Sequence, residues 1–225
     1  MYDNLTIVRT QEKAYKKYCV NDSIFYSNNF FIALDKKNNI IATGELYVQN
    51  HSLADLYTKV FNDNYLEENL IDMFFKECLY WNPYIETITC TFGELYNENP
   101  AKIFETEISS ILPCQLTVSD KKLKNVTKWL DSPEKVIVPV VEINKALYLT
   151  DGHTRLVRAY LQDYQKIYAF YDQDIDATMY PEFIKWCENE DITSINALSK
   201  RIVSEESHKK LWLDRCQEYI KNNRT

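Results

Sequence analysis

The chain has 225 residues, 45% of them apolar and 14% aromatic. That is enough to bury a core in one large or two small domains, but no run approaches the roughly 20 apolar residues that a membrane-spanning helix needs, so no membrane partner is expected. A formal net charge of −7 disfavours generic attraction to DNA, the start Met1-Tyr2-Asp3-Asn4 lacks the basic and apolar segments of a secretory signal, and six scattered cysteines without Cys-x-x-Cys or zinc spacing point to reduced, mostly buried thiols in a cytoplasmic protein.

In chain order, Leu5 to Arg9 reads as a short strand and Thr10 to Val20 as a helix, with Thr10 able to cap it and Glu12 and Lys16 spaced as a helical pair. Phe30 to Leu34 and Ile40 to Val48 are apolar strands joined by a turn at Asp35-Lys36-Lys37-Asn38-Asn39, which makes a hairpin. Ser52 to Phe61 fits strand or helix, and the hairpin context favours a third strand. Leu66, Leu70, Met73, Phe74 and Cys78 lay a helical stripe along Tyr65 to Tyr80. After the breaker Asn82-Pro83 come a strand, Thr87 to Phe92, and then, past Asn99-Pro100, a helix from about Ala101 to Ser110 with proline tolerated near its first turn. A break near Ile111-Leu112-Pro113 divides the chain into residues 1–112 and 113–225.

The order strand, helix, three strands, helix, strand, helix resembles the core of the GCN five-related N-acetyltransferases (GNAT). Gly44 in the second hairpin strand and Asn99-Pro100-Ala101 before a late helix add to the likeness, which implies a GNAT-like mixed sheet with helices. Those enzymes receive the acetyl-coenzyme A pyrophosphate on an Arg/Gln-x-x-Gly-x-Gly/Ala loop at the start of the central helix. The corresponding stretch, Phe61-Asn62-Asp63-Asn64-Tyr65-Leu66-Glu67-Glu68, has no glycine or basic residue and carries three acids, which would repel a pyrophosphate. Acetyl-coenzyme A (acetyl-CoA) is therefore not an expected ligand.

Beyond the break, Gln115 to Val118 reads as a strand and Lys121 to Leu130 as a helix, with Lys121-Lys122-Leu123-Lys124 a solvated face rather than a nucleic-acid patch. The strands Val136 to Ile143, interrupted by Pro139, and Ala146 to Leu149 flank the turn pair Asn144-Lys145. A helix from Arg155 to Gln162 and a strand from Lys166 to Tyr171 complete an α+β unit. The tail from Tyr180 to Asn222 reads as three helices opened by Pro181, Ser194 and Ser204, with Trp186 and Trp212 as packing anchors and a helical surface that could meet a protein partner.

Leu147-Tyr-Leu-Thr-Asp-Gly-His-Thr-Arg-Leu-Val-Arg-Ala159 gathers the most chemistry. An apolar strand ends at Thr150, Asp151-Gly152 turns the chain, and an arginine-bearing helix begins. Such a junction presents unpaired backbone N–H groups and the positive end of a helix dipole, and Arg155 and Arg158 add fixed charge, so phosphate is the natural guest. One of only three glycines sits here, where average usage near 7% would give roughly sixteen in the chain. The plainer alternative is an ordinary turn with arginines on a solvated face.

Asp151-Gly152-His153-Thr154-Arg155-Leu156 resembles the Asp-Gly-His-His/Thr-Arg form of the ParB and sulfiredoxin superfamily, as do the opening strand Leu116-Thr117-Val118-Ser119 and the proline-bearing strand Val138-Pro139-Val140. The likeness covers about residues 114–172. It implies a nucleotide-phosphate site for ATP, ADP or CTP in which Gly152, Thr154 and Arg155 hold phosphate and Arg158 adds charge. Sulfiredoxin carries its reactive cysteine where His153 stands, so its thiol chemistry is excluded at this site. Chromosome-partitioning members carry a more arginine-rich loop and a helix-turn-helix module not recognised here, which makes DNA an unlikely partner.

In a catalytic reading Asp151 would accept a proton from a substrate hydroxyl or hold Mg2+, and His153 would contact a transferring phosphoryl group. Three functions stay open at this level: a nucleotide-binding protein that transfers phosphate to a small molecule, a noncatalytic nucleotide sensor, and an acetyltransferase with an unusual cofactor site. His51 and His208 have no comparable neighbours.

Overall fold

The computed structural model describes residues 5–62, 64–173 and 177–223. The fold is α+β, and the chain divides into two compact units, Met1–Lys102 and Ile103–Thr225.

In the first unit the strands are β1 (Thr6–Arg9), β2 (Phe30–Leu34), β3 (Ile40–Val48), β4 (Leu53–Val60), β5 (Thr87–Cys90) and β6 (Gly93–Tyr96), with helices α1 (Asp22–Tyr26) and α2 (Glu67–Trp81). The sheet order follows the chain, β1-β2-β3-β4-β5-β6. All pairs are antiparallel except β4 and β5, which are parallel and joined through α2, as a parallel pair requires a crossover. Their pairing is confined to Leu53–Asp55 against Thr87–Thr89, while β4 runs on to Val60. The apolar run Phe30-Phe31-Ile32-Ala33 is buried along its whole length, the signature of a strand covered on both faces. Gly44 is required for close approach: a Cβ there would stand 2.9 Å from the Phe74 ring of α2.

The segment from Thr10 to Val20 is not the expected helix. Thr10 continues the strand ladder, its N–H donating to Phe30 C=O at 3.0 Å, and its hydroxyl closes a local turn on Glu12 N–H at 3.1 Å. Asn21 caps the true helix α1 instead, accepting from Ser23 N–H at 2.8 Å. Within the segment only Lys16–Tyr18 is helical, as a single 3-10 turn, and Tyr15, Tyr18 and Cys19 pack from it onto the small cluster of Ile24, Phe25, Phe30 and Ile32.

In the second unit β7 (Ile103–Glu107), β8 (Ile111–Leu112), β10 (Ile137–Ile143), β11 (Ala146–Leu149) and β12 (Lys166–Tyr171) form a mixed sheet ordered β7-β12-β10-β11-β8, and β9 (Val118–Ser119) pairs in parallel with β13 (Ile202–Val203). The helix expected over Ala101 to Ser110 is strand β7 followed by a single 3-10 turn, Ile108–Ser110. Tertiary pairing with β12 overrides the local reading: Lys166 bridges Glu105 at 2.6 Å, and the Phe104 and Tyr171 rings lie 5.2 Å apart. The division between units therefore falls at Lys102–Ile103 rather than near Leu112.

Helices α3 (Asp120–Val126), α4 (His153–Leu161), α5 (Tyr180–Asn189) and α6 (Ile195–Ser199) pack with the sheet around one core that includes Val138, Val140, Leu149, Leu156, Val157 and Trp186. Asn144 and Lys145 both take positive φ, 53° and 66°, the backbone of a two-residue hairpin turn of the kind that matches strand twist. The last helical run is α7 (Glu205–His208), a π-helical stretch Lys209–Leu213, and α8 (Asp214–Asn223). Trp186 and Trp212 are buried and packed edge to face at 6.3 Å, so these aromatic anchors of the tail serve its own core. All six cysteines are free thiols. Among the described residues no helix is long and apolar enough to cross a membrane.

Candidate functional site

Pro139 decides where the β10–β11 ladder stops. The final pairing is Val140 with Leu149; one step further Thr150 N–H donates to Pro139 C=O at 3.1 Å, but proline has no N–H to return to Thr150. The ladder ends there and the turn begins. Thr150 is held instead by its hydroxyl, which donates to Asp172 at 2.8 Å. The hydroxyl of Tyr180 reaches the Thr150 carbonyl at 3.5 Å.

Gly152 then adopts φ 86°, ψ 15° and forms the N-cap of α4, bringing no capping side chain of its own. This left-handed backbone favours glycine. Space demands it as well, because a Cβ would stand 2.9 Å from Arg155 Nη2 and 3.0 Å from Val138 Cγ1. The first backbone bond across this junction runs from Leu156 N–H to Gly152 C=O at 2.9 Å. The amides of His153, Thr154 and Arg155 thus lie in the first turn, where a helix offers no intrahelical acceptor.

Arg155 folds back over this turn. Its Nη1 donates to Ile137 C=O at 2.7 Å and its Nη2 to Asp151 at 3.2 Å, so two contacts fix the guanidinium plane beside Gly152 while the remaining donors of its fork are uncommitted by them. Asp151 is exposed and Thr154 half-buried. Arg158 goes elsewhere: with the Gln162 amide turned so that its oxygen faces the guanidinium, Nη1 and Nη2 donate to it at 2.9 and 3.2 Å. Arg158 therefore serves the far end of α4, and the two arginines do not converge on one ligand.

His153 is turned into the core, where it is 5% exposed. Its Nε2 accepts the Cys114 backbone N–H at 3.2 Å, which places the ring proton on Nδ1. Burial, aided by the charges of His208, Arg155 and Lys122 and opposed by Asp151, pushes its pKa down from 6.5 to about 4. The imidazole is neutral at physiological pH and points away from the solvent side of the turn, which corrects the expectation that it meets a phosphoryl group. Cys114 is equally buried; its thiol donates to Leu149 C=O at 2.7 Å, and burial holds its pKa well above the usual range.

His208 also acquires a partner that its neighbours in sequence do not reveal. It is buried, with Nδ1 2.9 Å from the hydroxyl of fully buried Thr117, and burial, with Lys122 adding to it, lowers its pKa. His153 and His208 thereby grip the two ends of Cys114–Thr117. The strand read from Gln115 to Val118 is confined to Val118 and Ser119, which pair as β9.

Residues missed by sequence reasoning are Thr150, Asp172 and Tyr180, which surround the turn from three elements, and Lys122, whose charge acts on both histidines. The proline in a central strand was the available signal for the first of these. Among the described residues no group of three or more His, Cys, Asp or Glu side chains is placed to hold a metal ion.

No protein-family model matches the chain, and no curated protein matches it. Among solved structures it is similar to protein Atu1540 from Agrobacterium tumefaciens, with 13% identity and a TM-score of 0.31 over 46% of this chain. The match spans 62% of the length of that protein. A likeness of this size carries no argument about fold or function.

Proposed function

We propose that the second unit binds the phosphate groups of a small nucleotide, ATP, ADP or CTP, at the start of α4. One observation carries the reading: a left-handed Gly152, with no capping side chain of its own, opens α4 while Arg155 is clamped over the same turn by Ile137 and Asp151. Amides of the first turn would donate to anionic oxygens, and the oriented guanidinium would add a charge-assisted contact. Binding without chemistry is favoured over phosphoryl transfer, because the nearest imidazole, His153, is neutral and buried. Among the described residues no group of side chains forms a resident metal cage, and a magnesium ion carried by the nucleotide would meet exposed Asp151, a carboxylate that also pairs with Arg155. The first unit we read as acetyltransferase-like in strand order, with acidic Glu67 and Glu68 opening α2 where a pyrophosphate would need amides and basic charge.

Thermal denaturation of the full chain with each nucleotide tests the reading, since a ligand of the folded state raises the midpoint by mass action. Arg155→Ala should weaken the stabilising nucleotide by roughly ten- to a hundredfold, the value of a charge-assisted contact of about 1.5–3 kcal/mol, while Arg158→Ala should cost under about 1 kcal/mol. Equal affinities for wild type and Arg155→Ala would remove the basis of the proposal.

A further inference from the structure

A pocket of about 410 Å³ opens on the first unit, lined by Val20, Glu45, Tyr47, Asp55 and Tyr57. Its floor is a chequerboard. In the β3–β4 register Glu45 stands opposite Tyr57 and Tyr47 opposite Asp55, and because these positions alternate along both strands, all four side chains share one face of the sheet. The two tyrosine rings sit on one diagonal at 5.1 Å and 84° to each other, forming an aromatic corner. The two carboxylates occupy the other diagonal.

Among the described residues neither Glu45 nor Asp55 is ion-paired with a lysine or arginine. Their lone pairs, by contrast, are partly taken. Buried Glu45 accepts Val20 N–H at 2.7 Å on Oε1, and on Oε2 the Tyr47 hydroxyl at 2.9 Å and Asn21 N–H at 3.4 Å. Asp55 accepts from the Gln49 amide. Burial and the bond to Glu45 together push the Tyr47 phenol up to about 12, keeping it a neutral donor. The guest that suits such a pocket brings positive charge and presents methyl groups to ring faces and to Val20, an apolar side chain left 88% exposed. A quaternary ammonium ion has this chemistry; a primary ammonium brings the charge without the methyl surface.

We propose that this pocket binds the trimethylammonium group of a small free molecule of about the size of choline, independently of the anion site in the second unit. Calorimetric titration of the full chain with choline, ethanolamine and 3,3-dimethylbutanol, the neutral isostere of choline, tests it. Choline should bind saturably and lose affinity as salt rises; the isostere should bind at least tenfold more weakly, and ethanolamine more weakly than choline. Tyr57→Leu keeps an apolar side chain at a site 61% exposed and should weaken choline by about two- to fivefold, the range for one ring face lost at an exposed site. Asp55→Asn should weaken it as well.

Melting temperatures near that of wild type will show both variants folded, and the comparison of the three ligands on the wild type needs no variant. The proposal fails if choline does not saturate, if the isostere matches it, if ethanolamine binds more tightly, or if Tyr57→Leu and Asp55→Asn leave choline binding unchanged. Tighter binding to phosphatidylcholine vesicles than to choline would overturn the assignment to a small free molecule.

Discussion

Acid should destabilise the second unit through His153 before the carboxylates begin to titrate. The unfolded chain takes up a proton near the ordinary histidine pKa of 6.5, whereas the folded chain resists it down to about 4, so between these values the unfolded state binds more protons and stability falls as pH falls. At one unit of pKa per 1.4 kcal/mol the full effect is about 3 kcal/mol, and between pH 7 and pH 5 about 2 kcal/mol of it is lost. His208, also lowered by burial, acts with the same sign. The assay is urea unfolding at pH 7, 6 and 5 in a Trp81→Phe background, where the three remaining tryptophans, Trp129, Trp186 and Trp212, all report on the second unit. His153→Gln supplies the control, because its amide oxygen can accept the Cys114 N–H as Nε2 does but does not titrate. Wild type should lose about 2 kcal/mol more than His153→Gln over this range. Equal losses would show that His153 is accessible to protons in the folded state and return it to the candidates for contact with ligand.

Other consequences are local. Gly152→Ala should destabilise the second unit by at least about 1–2 kcal/mol, the cost of a left-handed alanine, and should reduce nucleotide affinity by displacing Arg155, whose Nη2 would lie 2.9 Å from the new Cβ; scanning calorimetry with and without nucleotide measures both. Gly44→Ala should overpack the contact with Phe74, 2.9 Å away, and cost about 1–3 kcal/mol, and the double variant with Phe74→Leu should recover part of the loss in melting temperature. Acetyl-CoA should give no measurable heat on titration into the chain, and micromolar affinity with competition by coenzyme A would overturn the reading of the acidic stretch, of which Asp63 lies outside the described residues.

Local pattern was sufficient wherever one face of an element is buried by its immediate neighbours. The hairpin Phe30–Leu34 and Ile40–Val48, the hairpin turn at Asn144-Lys145, strand Lys166–Tyr171 and the turn at Gly152 are found where apolar period and turn chemistry put them. Two of the failures share a cause. Ile103–Glu107 is a strand because β12 offers it an edge about sixty residues away, and Ile195–Ser199 stops early, short of the expected Val203, because Ile202 and Val203 pair with Val118 and Ser119. Neither partner is visible within a helical window.

The same limit governs the site. A histidine beside an aspartate and an arginine reads as reactive in one dimension, yet the donor that fixes its ring is the amide of Cys114, 39 positions earlier. Proximity in sequence to charge thus says little about which way an imidazole faces, and the sense in which its pKa moves reports the answer: contact with Asp151 alone would raise it, and burial lowers it. The chequerboard on β3 and β4 errs in the other direction. Glu45, Tyr47, Asp55 and Tyr57 alternate as solvent-facing strand residues do, and only the register, Glu45 with Tyr57 and Tyr47 with Asp55, brings two carboxylates and two aromatic rings together. A one-residue slip would place Tyr57 on the opposite face and dissolve the pocket. The chemistry there is consequently a property of strand pairing, which no single segment of the chain contains.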